Sequence, residues 1–127
     1  MSKRILVIED QEDNRQILRD LLTSADFEVI EAVDGDAGLA AAAAHRPDLI
    51  LMDIQLPLLD GYEATRRIKA NPALSAIPII VVTSYALGGD QDKARAAGCD
   101  AYISKPFSPR QLLAKVREYL PPGTPTM

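Results

Sequence analysis

The sequence is poor in the side chains that build most redox and transition-metal centres. Among its 127 residues are one cysteine, Cys99, and one histidine, His45. A single cysteine excludes an internal disulfide, and no basic or histidine neighbour in the sequence activates Cys99, so we expect a small core residue. His45 follows a run of alanines, and we expect it to face solvent at a helix end. Any metal site must therefore be built from oxygen ligands.

Long apolar runs and an excess of basic residues are also missing. The apolar runs are far shorter than the roughly 18 residues that a membrane span needs, and the first residues show no signal-peptide pattern. We therefore expect a cytoplasmic protein. A net charge of −4 and a pI near 4.9 argue against nucleic acid or an anionic membrane as the main partner, because both are bound by basic surfaces.

The sequence does contain a regular alternation of apolar runs with helical patterns, in a length that suits one domain. We predict strands at 4–8, 29–32, 49–53, 77–82 and 101–104, and helices at 14–23, 37–44, 62–70, 90–98 and 108–120. Strands alternating with helices require a parallel sheet with right-handed crossovers. The predicted fold is α/β, a flavodoxin-like three-layer αβα sandwich with strand order 2-1-3-4-5, over residues 1–120. Residues 121–127 are predicted to be a flexible tail.

The first predicted helix carries apolar residues at helical spacing. We expect Asp13 or Asn14 as its N-cap. The expected inner stripe consists of Ile17, Leu18, Leu21 and Leu22.

Polar side chains stand where the predicted strands end. The third strand is an unbroken apolar run, typical of a strand covered on both faces, and it ends at Asp53. The first strand ends at Glu9 and Asp10, the fourth at Thr83 and the fifth at Lys105. The carboxyl ends of parallel strands meet at one edge, where ligands of open α/β sheets bind. The sequence therefore predicts a site there.

Three carboxylates at one edge repel each other unless they take up protons or bind a hard cation, and oxygen ligands suit Mg²⁺ or Mn²⁺. Glu9 or Asp10 alone would be an ordinary turn residue, but their coincidence with Asp53 favours a site. Lys105 alone would be an ordinary ion pair. Because Pro106 follows it, the Lys105–Pro106 bond is a candidate for a cis peptide that fixes the direction of the lysine.

A lysine ammonium, a threonine hydroxyl and a divalent ion around Asp53 supply three electrophilic partners for the outer oxygens of a phosphoryl group. Asp53 is placed as the nucleophile. The chain carries five motifs in order: Glu9-Asp10, residues 49–57, Asp60-Gly61, Val82-Thr83 and Ser104-Lys105-Pro106-Phe107. Together they resemble the response-regulator receiver (CheY-like) family of two-component signalling over residues 3–120. Residues 82–106 are most similar to stand-alone DivK-type regulators and to receivers attached to hybrid kinases.

The resemblance implies that Asp53 accepts a phosphoryl group from the phosphohistidine of a sensor histidine kinase or a histidine phosphotransfer protein. It also implies that Mg²⁺ is held by Asp10, Asp53 and the main-chain carbonyl of Gln55, with Glu9 acting through water.

The family's remaining roles concern the phosphoryl group and the switch. The resemblance implies that Thr83 and Lys105 contact the phosphoryl oxygens and that Tyr102 turns inward when Thr83 moves. With no output domain in 127 residues, we expect a single-domain regulator whose phosphorylated surface is recognised by a downstream protein. Gln55 and Tyr85 are expected to control the approach of water, and the bulk of Tyr85 favours slow self-dephosphorylation.

Other functions of the same fold fit less well. Metal-dependent phosphohydrolases with an aspartyl-phosphate intermediate resemble one another in carrying a second aspartate two residues after the nucleophile. In this chain that position is occupied by Gln55. A flavin carrier needs phosphate-binding donors after the first strand, where Glu9 and Asp10 would repel a phosphate. A degenerate receiver is disfavoured by the intact set of site residues. We expect a phosphoacceptor and not an enzyme.

Overall fold

The computed structural model describes residues 3–54, 56, 59–83 and 90–120. The predicted tail, 121–127, lies outside the described residues. Within them, five parallel strands form one sheet in the order β2-β1-β3-β4-β5, as predicted. The strands are β1 (Arg4–Ile8), β2 (Glu28–Ala32), β3 (Leu49–Asp53), β4 (Ile79–Thr83) and β5 (Ala101–Ser104). The helices are α1 (Glu12–Ser24), α2 (Gly35–His45), α3 (Gly61–Ala70), α4 (Asp90–Ala97) and α5 (Pro109–Tyr119).

The sheet is covered on both faces because successive side chains of its apolar strands point in opposite directions. In β1, Ile5 and Val7 pack with buried residues of α1 and α5. Leu6 and Ile8 pack with buried residues of α2 and α3 on the other face. All five residues of β3 are buried, as expected for a central strand. The predicted three-layer sandwich is confirmed.

The start and the rotation of α1 differ from the prediction. The helix begins at Glu12, and its N-cap is Gln11, which makes no side-chain capping bond, so neither Asp13 nor Asn14 caps it. Ile17 is 61% exposed, whereas the buried stripe contains Leu18 and Leu22. Each residue turns the helix by about 100°. The stripe predicted from apolar residues alone was therefore too wide on one side.

Strand β4 begins at Ile79, two residues later than predicted. Pro78 has no N–H to donate to a neighbouring strand. The amide of Ile79 donates to the carboxylate of Asp100 at 2.8 Å, and Lys69 Nζ lies 2.9 Å from the same oxygen. These bonds tie the start of β4 to the loop that precedes β5.

In the described part of the chain, no helix combines the length and apolar character needed to cross a membrane.

Candidate functional site

Three carboxylates meet where the neighbouring strands β1 and β3 end. Glu9 follows β1 and is 2% exposed, Asp53 ends β3 and is 7% exposed, and Asp10 is half-buried. One carboxylate oxygen from each lies within 4.8 Å of those of the other two. Parallel pairing of β1 with β3 brings the two strand ends together, as the sequence predicts. The structure therefore assembles the predicted acidic cluster.

Lys105 reaches this cluster from the end of β5. Its ammonium nitrogen lies 3.4 Å from a carboxylate oxygen of Glu9 and 3.4 Å from one of Asp53. The lysine side chain is 27% exposed, so its charge is only partly screened by solvent. The Lys105–Pro106 peptide bond is cis, which confirms the prediction made from the proline at position 106. The ammonium group of Lys105 thus bridges two buried acids.

Every polar group of Glu9 has a partner in the structure. Its N–H donates to the carbonyl of Ala32 at 3.0 Å, and its carboxylate accepts from the amide of Gln11 at 3.1 Å. Its main-chain carbonyl accepts from Arg15 at 2.9 Å. Glu9 is therefore held by β2, by the start of α1 and by a side chain of α1.

Arg15 was not singled out from the sequence, although a signal was present. Arg15, Leu18 and Leu22 follow the spacing i, i+3, i+7, which places the arginine on the inner stripe of α1. A charged residue on an apolar stripe needs a polar partner in the interior. The guanidinium is buried and finds that partner in the carbonyl of Glu9.

The crowding of acids changes the titration of Glu9. Burial raises the pKa of Glu9 from 4.5 to about 7, and the hydrogen bond and negative charge of Asp53 add to the rise. The amide of Gln11 opposes the rise by stabilising the ionised form. A buried acid next to other acids favours either a proton or a cation. The cluster therefore takes up a proton near neutral pH when no cation compensates its charge.

The donor set fits a small hard cation. Glu9, Asp10 and Asp53 offer only carboxylate oxygens, within a span that one ion can bridge. Mg²⁺ and Mn²⁺ prefer such ligands and retain several waters. Gln55, whose main-chain carbonyl was predicted as a further ligand, lies outside the described residues.

The start of α3 packs directly against the end of β3. Asp60 caps α3 by accepting from the amide of Glu63 at 2.9 Å, and the amide of Gly61 donates to the carbonyl of Ile54 at 3.0 Å. A Cβ atom on Gly61 would lie 2.5 Å from the main-chain oxygen of Asp53. The Asp-Gly pair therefore fixes the backbone immediately after Asp53, and only glycine allows this close approach.

Thr83 and Tyr102 occupy neighbouring strands near the site. Thr83 is the last residue of β4 and pairs in register with Ser104; its side chain is outside the description. Tyr102 lies opposite Val81 and is half-buried against the core on the α2–α3 side of the sheet. Their roles in a switch stay predictions. Tyr85, expected to limit the approach of water, lies outside the described residues.

The remaining candidates behave as the sequence indicates. Cys99 is half-buried at the edge of the core, and burial raises the pKa of its thiol to about 11, which leaves it protonated at neutral pH. His45 is exposed at the last position of α2.

The fold and the site together define a class of protein: a doubly wound parallel α/β domain whose central strand presents a buried aspartate, beside further acids and a lysine, at the carboxyl edge of the sheet. The family model of the response regulator receiver domain matches residues 5–117. Relatives more than 40% identical align over nearly the whole chain. The chain belongs to the response regulator receiver family.

The similar proteins are themselves response regulators and receiver domains. The polar-differentiation response regulator DivK of Brucella anthropi is 43% identical over 120 residues, which are 94% of this chain and 98% of the relative. The DivK of Brucella ovis is 42% identical over the same shares.

Solved structures show the same likeness. The receiver domain of a sensor histidine kinase from Pseudomonas aeruginosa, solved with a magnesium ion coordinated in its active site cleft, is 36% identical with a TM-score of 0.88. The match covers 94% of this chain and 98% of that one. The chemotaxis protein CheY4 of Vibrio cholerae is 27% identical with a TM-score of 0.89, over 94% of this chain and 99% of that one. The chain is therefore a CheY-like protein of two-component signalling.

Proposed function

We propose that this protein is a Mg²⁺-dependent phosphoacceptor in a two-component or phosphorelay system, with Asp53 as the residue that is phosphorylated. The observation that carries the proposal is the position of Asp53: a buried carboxylate at the end of the central strand, within 4.8 Å of two other acids and 3.4 Å from Lys105. Burial of the nucleophile limits competing water, and the carboxyl edge of a parallel α/β sheet is where such folds bind their ligands.

The proposed reaction transfers a phosphoryl group without a net redox change. A carboxylate oxygen of Asp53 attacks the phosphorus atom, the bond from phosphorus to the donor histidine nitrogen breaks, and that nitrogen keeps the electron pair. The product is an aspartyl phosphate on this chain. In such transfers catalysis consists mainly of positioning and of stabilising charge on the phosphoryl oxygens.

Charge is the main obstacle to this reaction, because an anionic nucleophile must meet an anionic phosphoryl group. When bound at Glu9, Asp10 and Asp53, Mg²⁺ supplies positive charge and coordination for a phosphoryl oxygen. Lys105 supplies a second positive charge, with its ammonium nitrogen 3.4 Å from a carboxylate oxygen of Asp53. Thr83, at the end of β4, is proposed to donate its hydroxyl to a third oxygen.

The proposed donor is a sensor histidine kinase or a histidine phosphotransfer protein, and the proposed reader is a downstream protein. Support comes from the receiver family, from DivK relatives that align over nearly their whole length, and from a similar receiver that belongs to a sensor kinase. The shape change that the reader recognises is proposed to begin when Thr83 moves towards the phosphoryl group. Tyr102 lies on β5 two residues before Ser104, the register partner of Thr83. Its ring is then proposed to turn into the space that Thr83 leaves.

Phosphorylation with acetyl phosphate tests the proposal without knowledge of the kinase. We expect the parent protein to take up about one phosphoryl group per chain in Mg²⁺ and none in excess chelator. Asp53→Asn should take up none, whereas Asp36→Asn, a change at an exposed acid of α2, should behave like the parent. Undiminished labelling of Asp53→Asn would refute the proposal. Rapid multiple turnover of acetyl phosphate would instead favour a phosphohydrolase.

A further inference from the structure

Arg15 occupies a position that the proposed chemistry does not use. It lies on the inner face of α1, its side chain is 11% exposed, and its guanidinium donates to the main-chain carbonyl of Glu9 at 2.9 Å. We propose that Arg15 is a positioning residue for the cation site: it fixes the orientation of the Glu9–Asp10 peptide and thereby the direction of two of the three acids. The inference rests on the proposed function in so far as those acids bind Mg²⁺.

The planarity of the peptide bond connects Arg15 to Asp10. The carbonyl of Glu9, the amide of Asp10 and the two flanking Cα atoms lie in one plane. The N–H of Glu9 is already fixed by the carbonyl of Ala32 at 3.0 Å. A hydrogen bond from Arg15 to the carbonyl of Glu9 fixes the rotation of the next peptide plane, on which the Cα of Asp10 lies. The direction of the Asp10 carboxylate therefore depends on a contact made by Arg15, 5 residues further along the chain.

The guanidinium is itself held in place by acids on two elements. Its other groups pair with Glu12 in the first turn of α1 and with Glu31 on β2, the latter at 3.4 Å. A planar group with several donors in a fixed arrangement can satisfy these partners together with the Glu9 carbonyl. An ammonium group lacks that geometry, so lysine cannot reproduce all three contacts.

Arg19 provides a matched control on the same helix. It pairs with both carboxylate oxygens of Glu31 at 3.0 and 2.9 Å. Among the described residues, it forms no hydrogen bond or ion pair with Glu9. Its side chain is 37% exposed. Removing Arg19 therefore disturbs the charge balance around Glu31 but leaves the Glu9–Asp10 peptide in place.

The test compares Arg15→Met, Arg15→Lys and Arg19→Met with the parent protein, all unphosphorylated. Methionine keeps an unbranched stem and a good helix propensity while removing every donor. The first measurement is Mg²⁺ affinity by titration calorimetry. The second is the NMR shift and hydrogen exchange of the amides of Asp10 and Gln11 in the metal-free protein.

We expect Arg15→Met to weaken Mg²⁺ binding by about tenfold, the scale typical of residues that orient metal ligands. The amides of Asp10 and Gln11 should shift and exchange faster. Arg15→Lys should lie between Arg15→Met and the parent in both measurements, and it keeps the inference testable if Arg15→Met does not fold. Arg19→Met should match the parent.

Two results would overturn the inference: parent-like Mg²⁺ affinity with unchanged Asp10 and Gln11 amides in the Arg15 variants, or an equal loss in Arg19→Met, which would assign the effect to charge alone. If the parent bound no Mg²⁺, the proposed function would fail instead, and the metal-free amide signals would still decide whether Arg15 orients the peptide.

Discussion

The buried carboxyl of Glu9 makes the stability of this protein depend on pH in a direction opposite to that of most acids. In the folded chain Glu9 keeps its proton up to about pH 7, whereas in the unfolded chain it loses the proton near 4.5, its ordinary value. Between these two values the folded state binds the additional proton, so raising the pH favours unfolding. Below both values, or above both, the contribution of Glu9 does not change. In excess chelator, the contribution of Glu9 to the stability of the parent should therefore fall as the pH rises from about 4 to about 8.

The magnitude follows from the two pKa values. Each tenfold change in a proton-binding constant is worth about 1.4 kcal/mol. The rise from 4.5 to about 7 thus corresponds to about 3 kcal/mol, lost progressively across that range. Glu9→Gln removes this loss because its side chain is neutral at every pH, while its carbonyl oxygen can still accept from the amide of Gln11.

Urea unfolding followed by circular dichroism measures the effect. The stability of the parent relative to Glu9→Gln should fall by about 3 kcal/mol as the pH rises from about 4 to about 8, and taking this difference isolates Glu9 from the other titrating groups. Excess Mg²⁺ should reduce the slope, because a cation stabilises the ionised acids. The reasoning is refuted if the difference between the two proteins is constant with pH, or if it changes in the opposite direction.

Three further predictions concern Lys105, Gly61 and Tyr85. Lys105→Met should slow phosphorylation by acetyl phosphate by about 100-fold, because a donor to the developing charge is lost. Calorimetry should nevertheless show that the variant binds Mg²⁺ at least as tightly as the parent, since a competing cation is removed. Weaker Mg²⁺ binding would contradict this prediction. Gly61→Ala should lower the urea-measured free energy of unfolding by about 1–3 kcal/mol, because its Cβ would meet main-chain atoms at 2.5 and 2.8 Å, and an unchanged stability would show that α3 can shift at no cost. Tyr85→Ala should release phosphate from the phosphorylated protein faster than the parent, and an equal rate would show that Tyr85 does not shield the bond.

The sheet could be predicted from the sequence because its strands are marked by continuous apolar runs ending in polar residues. The run before Asp53 identifies a strand buried on both faces, and parallel strands necessarily deliver their end residues to one edge. The meeting of Glu9, Asp10, Asp53 and Lys105 follows from that topology. The distances between these side chains could not be predicted from the sequence, because they depend on the register in which the strands pair.

The details of α1 could not be predicted in the same way. An apolar pattern shows that a helix has a buried stripe but not where the stripe ends, and Ile17, which fits the apolar pattern, is 61% exposed. The true stripe is centred on Arg15, Leu18 and Leu22. A buried arginine is favourable only because the carbonyl of Glu9 and two acids receive it, and those partners come from separate parts of the fold. Local sequence does not contain that information.

The most direct test of the central claim is to identify the phosphorylated residue chemically. After reaction with acetyl phosphate and Mg²⁺, the protein is treated with borohydride, which reduces an aspartyl phosphate to homoserine, and the modified residue is located by tandem mass spectrometry. The account predicts homoserine at Asp53 alone, and none when Mg²⁺ is chelated. Reduction at Asp10 or another residue, or modification independent of Mg²⁺, would contradict it.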